Sequence, residues 1–257
     1  MKKINMFLAF FSIAFAGFGC FDDSSANSKL VDAVKKVKQG NWQEAEQIAI
    51  QLSEENPAAV SPVILQILSF ENSGQMDKAV DLARQCAKSN PQDFAALYTL
   101  GRLYSKDEKR YGEAYSVLEN AIILRPGDIN TLILLCNLGV VNNESTAGKY
   151  LDQLVLKSKL SNADTGRAYY LRGIYLDRSE KKEEAYRSMM KAWDYSIKDN
   201  PELLFQIAAF VEKTGHRDVE AGLLYKRFVQ YYEKTAGYDP GKTALARTRS
   251  KRLLNSR

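Results

Sequence analysis

The chain has 257 residues, 45% hydrophobic and 26% charged, which suits one extended globular domain or two small ones. Its net charge of +5 lies at the ends, in Lys2 and Lys3 and in Lys242, Arg247, Arg249, Lys251, Arg252 and Arg257. Subtracting those eight from 36 basic residues leaves 28 against 31 acidic ones, so the body is mildly acidic and argues against a nucleic-acid partner.

From the N-terminus, "MKK" is a positive n-region, "INMFLAFFSIAFAGF" an apolar run, and Gly19 a small residue before Cys20. The run is shorter than the roughly 20 residues a membrane span needs, so residues 1–19 read as a cleaved export signal. Residues 20–28, "CFDDSSANS", read as a cysteine and a polar, flexible tether. A signal ending in a small residue and Cys resembles that of a bacterial lipoprotein, which implies lipidation at Cys20 and a membrane anchor there. The position three residues before the cysteine is Gly17, where the lipoprotein pattern usually has Leu. Gly17 and Gly19 also suit ordinary signal cleavage, which would leave a soluble periplasmic or secreted protein. Phe21 follows the cysteine, not the Asp of inner-membrane retention, so the resemblance implies the periplasmic face of the outer membrane. Cys86 and Cys136 lie within helical apolar patterns and are expected to be buried and unpaired.

A period runs through the body. "EENP", "KSNP", "ILRP" and "KDNP" place prolines at 57, 91, 126 and 201, the first three spaced by 34 and 35 residues. Twelve residues before each of those three sits an alanine, Ala45, Ala79 and Ala114, and Ala185 and Ala221 continue the series. Gly40 and Gly74, five residues before the first two alanines, suit turns between helices. Within "LYTLGRLY", Gly101 interrupts a strong helix, at a cost of roughly 0.5–1 kcal/mol relative to alanine.

Leu97, Leu100, Gly101 and Tyr104, then Ala114 and Leu118, then Ala121 and Pro126, resemble the tetratricopeptide repeat (TPR), a helix–turn–helix unit. Small residues at Gly101 and Ala114 then let two helices cross closely, and proline ends the second helix of the unit. The resemblance covers residues 29–234 and implies an all-α, right-handed superhelical solenoid of about six hairpins. Residues 235–257 are expected to form a basic capping helix, with contact to anionic headgroups or an acidic partner as the alternative.

Two other stretches bear on chemistry. "AGYDPGKT", residues 236–243, fits a relaxed phosphate-loop pattern, but a helix precedes it and only fourteen residues follow Thr243. His216, the single histidine, falls in a predicted turn with no Cys or His cluster beside it. No enzyme, metal, cofactor or small-molecule substrate is expected.

The TPR resemblance implies a groove lined by the first helices, with contacts at their fifth and ninth positions. Those are Leu30 and Val34, Ile64 and Leu68, Tyr98 and Arg102, Thr131 and Leu135, Tyr170 and Ile174, and Phe205 and Ala209. The row is apolar and aromatic, unlike the Lys, Arg and Asn set with which some TPR proteins hold a terminal carboxylate. It suits a segment of another protein, either an amphipathic helix or an extended apolar stretch; the alternative is that these residues pack each helix against its neighbours. The implied role is a non-catalytic scaffold of the bacterial cell envelope, in the assembly of outer-membrane barrels or of pili. The alternative is a soluble exported accessory subunit of an enzyme or nucleotide-dependent complex.

Overall fold

The structure is a computed structural model and describes residues 24–156, 160–196, 200–235 and 238–255. The signal, Cys20 and the first residues of the tether lie outside the described residues. Among the described residues all regular structure is helical, in six successive pairs and a last single helix. The pairs are α1 (Ser24–Gln39) with α2 (Trp42–Glu55), α3 (Val60–Asn72) with α4 (Met76–Ser89), and α5 (Phe94–Tyr104) with α6 (Tyr111–Leu124). They continue with α7 (Ile129–Asn142) and α8 (Ala147–Val155), α9 (Asn162–Arg178) and α10 (Lys182–Ser196), and α11 (Pro201–Lys213) and α12 (Asp218–Tyr232). The single helix is α13 (Pro240–Asn255). This is the all-α hairpin architecture that the repeat implies. By their contacts the helices fall into two compact units, one ending at Leu138 and one beginning at Gly139.

The turns repeat one closure. Asn41 N–H donates to the Lys36 carbonyl at 2.9 Å and Gln75 N–H to the Phe70 carbonyl at 2.8 Å, each across a glycine at positive φ. Such six-to-one bonds satisfy the last carbonyls of a helix and require a left-handed residue between. Glu180, five residues before Ala185, takes φ 62° at the position where the first two hairpins have Gly40 and Gly74, and Lys181 N–H closes on the Leu176 carbonyl at 2.9 Å. The third hairpin departs from this: a short 3-10 turn, Glu108–Arg110, joins α5 to α6.

The second helices end at Asn56, Asn90 and Arg125, each directly before a proline. Pro201 differs, standing in the first turn of α11, where a missing N–H costs nothing. Asn200 caps that helix, its side chain accepting from Leu203 N–H at 3.3 Å. At the other end, α1 starts at Ser24 and Ala26 is buried, so residues 24–28 are helix, not tether. Ala26, Leu30, Ala33, Val34 and Val37 recur at helical spacing, and burying that stripe extends the helix to its first turn.

Small residues set the crossings. A β-carbon on Gly101 of α5 would stand 2.6 Å from Leu118 Cγ of α6. Four further close approaches involve Gly148 with Tyr175, Gly166 with Ser196, Gly173 with Met189, and Gly222 with Leu254, none of them singled out by the sequence pattern. In the second unit the core gathers Met189, Trp193, Leu204, Ile207, Tyr225 and Phe228. Cys86 and Cys136 are free and buried, and burial pushes the Cys86 thiol up to about 11.

Candidate partner-binding site

In the first unit, α5 is buried on every side, with only Ala95 half-buried among its residues. Ile64, Leu68, Tyr98, Arg102 and Leu135, expected along an open groove, are all buried, as are Leu30, Val34 and Thr131. Helical register placed these residues on one face but could not say what covers it. Tyr98 stacks on Phe94 with ring centroids 5.7 Å apart, and burial raises its phenol well above the usual value. Arg102, the one charged residue of that row, is bound within the chain. Its guanidinium forks onto Glu71, Nη1 to Oε1 at 2.9 Å and Nη2 to Oε2 at 2.5 Å, and Lys106 also pairs with Glu71.

The second unit keeps part of the row open. Tyr170 and Ile174 of α9, with Phe205 and Ala209 of α11, are half-buried and border the same apolar core. Phe205 meets Tyr225 and Phe228 edge-on at 5.5 and 5.4 Å, so its ring is held in one orientation. Lys242 and Arg249 of α13 stand 5.8 and 5.7 Å from the Phe205 ring centroid. The exposed remainder is an aromatic and aliphatic strip with cations beside it.

Those cations also fasten α13. Lys242 pairs with Glu202, Arg247 with Glu233, and Arg252 with Glu212. Arg249 donates to the Tyr225 hydroxyl at 2.8 Å, and that hydroxyl donates to Glu212 at 2.7 Å. Burial, with Glu212 as acceptor, pushes the Tyr225 phenol up to about 12. Thr243, Ala246, Ser250 and Leu253 form the buried side of α13. Four of the tail's basic residues are thus matched by acids of the last hairpin and its following turn, which supports the cap and leaves less free charge for an anionic surface.

The phosphate-loop pattern meets the same geometry. Asp239 puts its own carboxylate at the start of α13, accepting from Gly241 N–H at 2.8 Å, while Lys242 is held by Glu202. A carboxylate at that helix end takes the place a phosphate would need. Among the described residues no group of His, Cys, Asp and Glu could hold a metal ion. No helix among them is long and apolar enough to cross a membrane.

No protein-family model and no curated protein matches the sequence. Solved structures do match. PilF of Pseudomonas aeruginosa aligns over 88% of this chain and 98% of its own, with a TM-score of 0.63 at 15% identity. YrrB, a TPR protein described as having an unusual peptide-binding site, aligns over 78% of this chain and 97% of its own, with a TM-score of 0.61 at 16% identity. The fold is TPR-like. A structure of MamA agrees, covering 66% of this chain and 91% of its own with a TM-score of 0.55 at 17% identity. At such identities the likeness concerns the TPR-like hairpins alone and carries no site residue across.

Proposed function

We propose that this protein is a non-catalytic scaffold of the bacterial cell envelope that holds a segment of another protein against α9 and α11. The observation that carries this reading is the half-buried strip of Tyr170, Ile174, Phe205 and Ala209, set on a rigid core and left partly open. Rigid aromatic residues that are already ordered lose little entropy on binding, which is why they dominate interface energetics. An amphipathic helix or extended apolar segment matches the strip. YrrB's description as a peptide-binding TPR protein is the parallel that supports a peptide-like ligand. Assembly of outer-membrane proteins or pili is the setting implied by the resemblance to exported lipoproteins.

The test is capture from solubilised envelopes followed by titration of the captured segment. Tyr170→Ala is expected to weaken binding by about 2 kcal/mol, roughly thirty-fold, because a central aromatic anchor carries that much. Tyr170 is half-buried, so the variant should stay folded, and circular dichroism checks that it does. Full affinity in a folded Tyr170→Ala protein would move the site off this strip.

The anchor has its own test. Lipidation at Cys20 should appear in mass spectrometry of the mature N-terminus as a diacylated or triacylated cysteine. A chain starting unmodified at Cys20, or elsewhere, would make the protein a soluble exported one.

A further inference from the structure

A recess of about 450 Å³ opens between the α9–α10 turn and the α11–α12 turn. None of Tyr170, Ile174, Phe205 and Ala209 lines it, so it is separate from the strip described above. Its volume falls in the range of pockets that hold small ligands or single side chains.

Two aromatic rings give it apolar wall. Phe210 is half-buried and packs on the core of the second unit. Tyr186 has its hydroxyl committed to Glu220 and the Arg217 guanidinium 3.7 Å from its ring centroid.

The polar groups around these rings are unevenly satisfied. Both acids of the lining are already paired, Asp177 with Lys182 at 2.7 Å and Glu183 with Arg217 at 3.0 Å. Glu220, just outside the lining, also faces Arg217, at 3.8 Å. The Thr214 hydroxyl spends its proton on the Val211 carbonyl at 2.7 Å. Lys213 and His216 remain; both are exposed, and neither has an ionic partner among the described residues. An ammonium offers donors only, and an imidazole offers at least one N–H. What is left over at the rim therefore calls for an acceptor with negative charge, beside a ring-sized apolar wall.

We propose that this recess is a second binding site, for a carboxylate borne next to an aromatic or bulky apolar group. Two sources share that chemistry, the C-terminal residue of a peptide and a free aromatic acid. Lys213 and His216 hold the carboxylate, and Phe210 and the open part of Tyr186 hold the ring.

The chain's single histidine makes the test direct, since its imidazole C–H signals report on the recess without assignment. The mature protein is titrated at neutral pH with N-acetylphenylalanine, 3-phenylpropionate, N-acetylphenylalaninamide and acetate. The two aromatic acids are expected to shift the His216 signals saturably at millimolar concentrations. The amide, which lacks the charge, and acetate, which lacks the ring, should bind about ten-fold more weakly or worse. Tighter binding of N-acetylphenylalanine than of 3-phenylpropionate assigns the site to peptide termini, and the reverse order assigns it to free aromatic acids. Lys213→Gln alters an exposed side chain and should leave the thermal midpoint unchanged while weakening both acids about ten-fold. Three results would each overturn the proposal: no saturable shift with either acid, equal binding of acid and amide, or full affinity in Lys213→Gln.

Discussion

Glu71→Ala is expected to destabilise the fold by about 3–5 kcal/mol, the usual cost of breaking a buried ion pair from one side. Glu71 and Arg102 side chains are 6% and 9% exposed, so neither charge can turn to water when its partner is removed. The variant leaves the Arg102 guanidinium without its two-pronged acceptor, and Lys106 without its anchor. Replacing both partners by apolar residues of similar size, as in Glu71→Leu with Arg102→Met, should recover much of the loss, because no orphan charge then remains. Urea unfolding measures both. A single-variant loss under about 1 kcal/mol would mean that the pair behaves as an exposed one.

The same pair gives a pH dependence of fixed sign. Burial by itself raises the Glu71 carboxyl, but the Arg102 and Lys106 groups outweigh it and hold its pKa below the ordinary 4.5. A group whose folded value is depressed stabilises the fold above its unfolded value, and the stabilisation is lost as pH falls through the folded value. The gap in stability between the native chain and the paired Leu–Met variant should therefore move against the native chain below about pH 4.5 and stay level above it.

Where the sequence was legible, a local steric rule was repeated at a fixed period. Ala45, Ala79, Ala114, Ala185 and Ala221, which carried the repeat, are each 0% exposed, as expected of residues where helices cross too closely for a larger side chain. Turn glycines were legible for the same reason, while Glu180 was not, because an acid at positive φ leaves no compositional trace.

The candidate site was legible only in part. Helical register named Tyr98, Arg102, Tyr170 and Phe205 at equivalent positions of their helices, yet the first two are buried and the last two half-buried. What covers a face depends on contacts distant in sequence, and the Arg102–Glu71 pair spans 31 residues. A charged residue in a helix reads as solvated until its partner is known. The basic tail misleads in the same way, since its matching acids Glu202, Glu212 and Glu233 sit in the last hairpin and the turn after it.

Gly101→Leu is expected to cost about 3 kcal/mol or more, at the upper end of what overpacking a core usually costs. Its β-carbon alone would stand 2.6 and 2.8 Å from Leu118 Cγ and Cδ2, and 3.4 Å from the Ala114 carbonyl oxygen. Leu118 is 0% exposed, so its side chain cannot swing out to solvent without displacing its neighbours. Nor can α5 move outward easily, because it is buried along nearly all its surface. Gly101→Ala is a milder probe of the same contact. Alanine gains roughly 0.5–1 kcal/mol of helix propensity over glycine, and the clash with Leu118 must exceed that gain for the fold to weaken. Trimming the opposing side chain separates the two terms. Leu118→Ala alone should cost about 2–5 kcal/mol as a cavity, and adding Gly101→Ala should return part of it, since the new methyl fills the vacated space. If the losses of Gly101→Ala and Leu118→Ala simply add, within about 0.5 kcal/mol, the two positions do not touch, and the crossing that fixes the register of the third hairpin lies elsewhere.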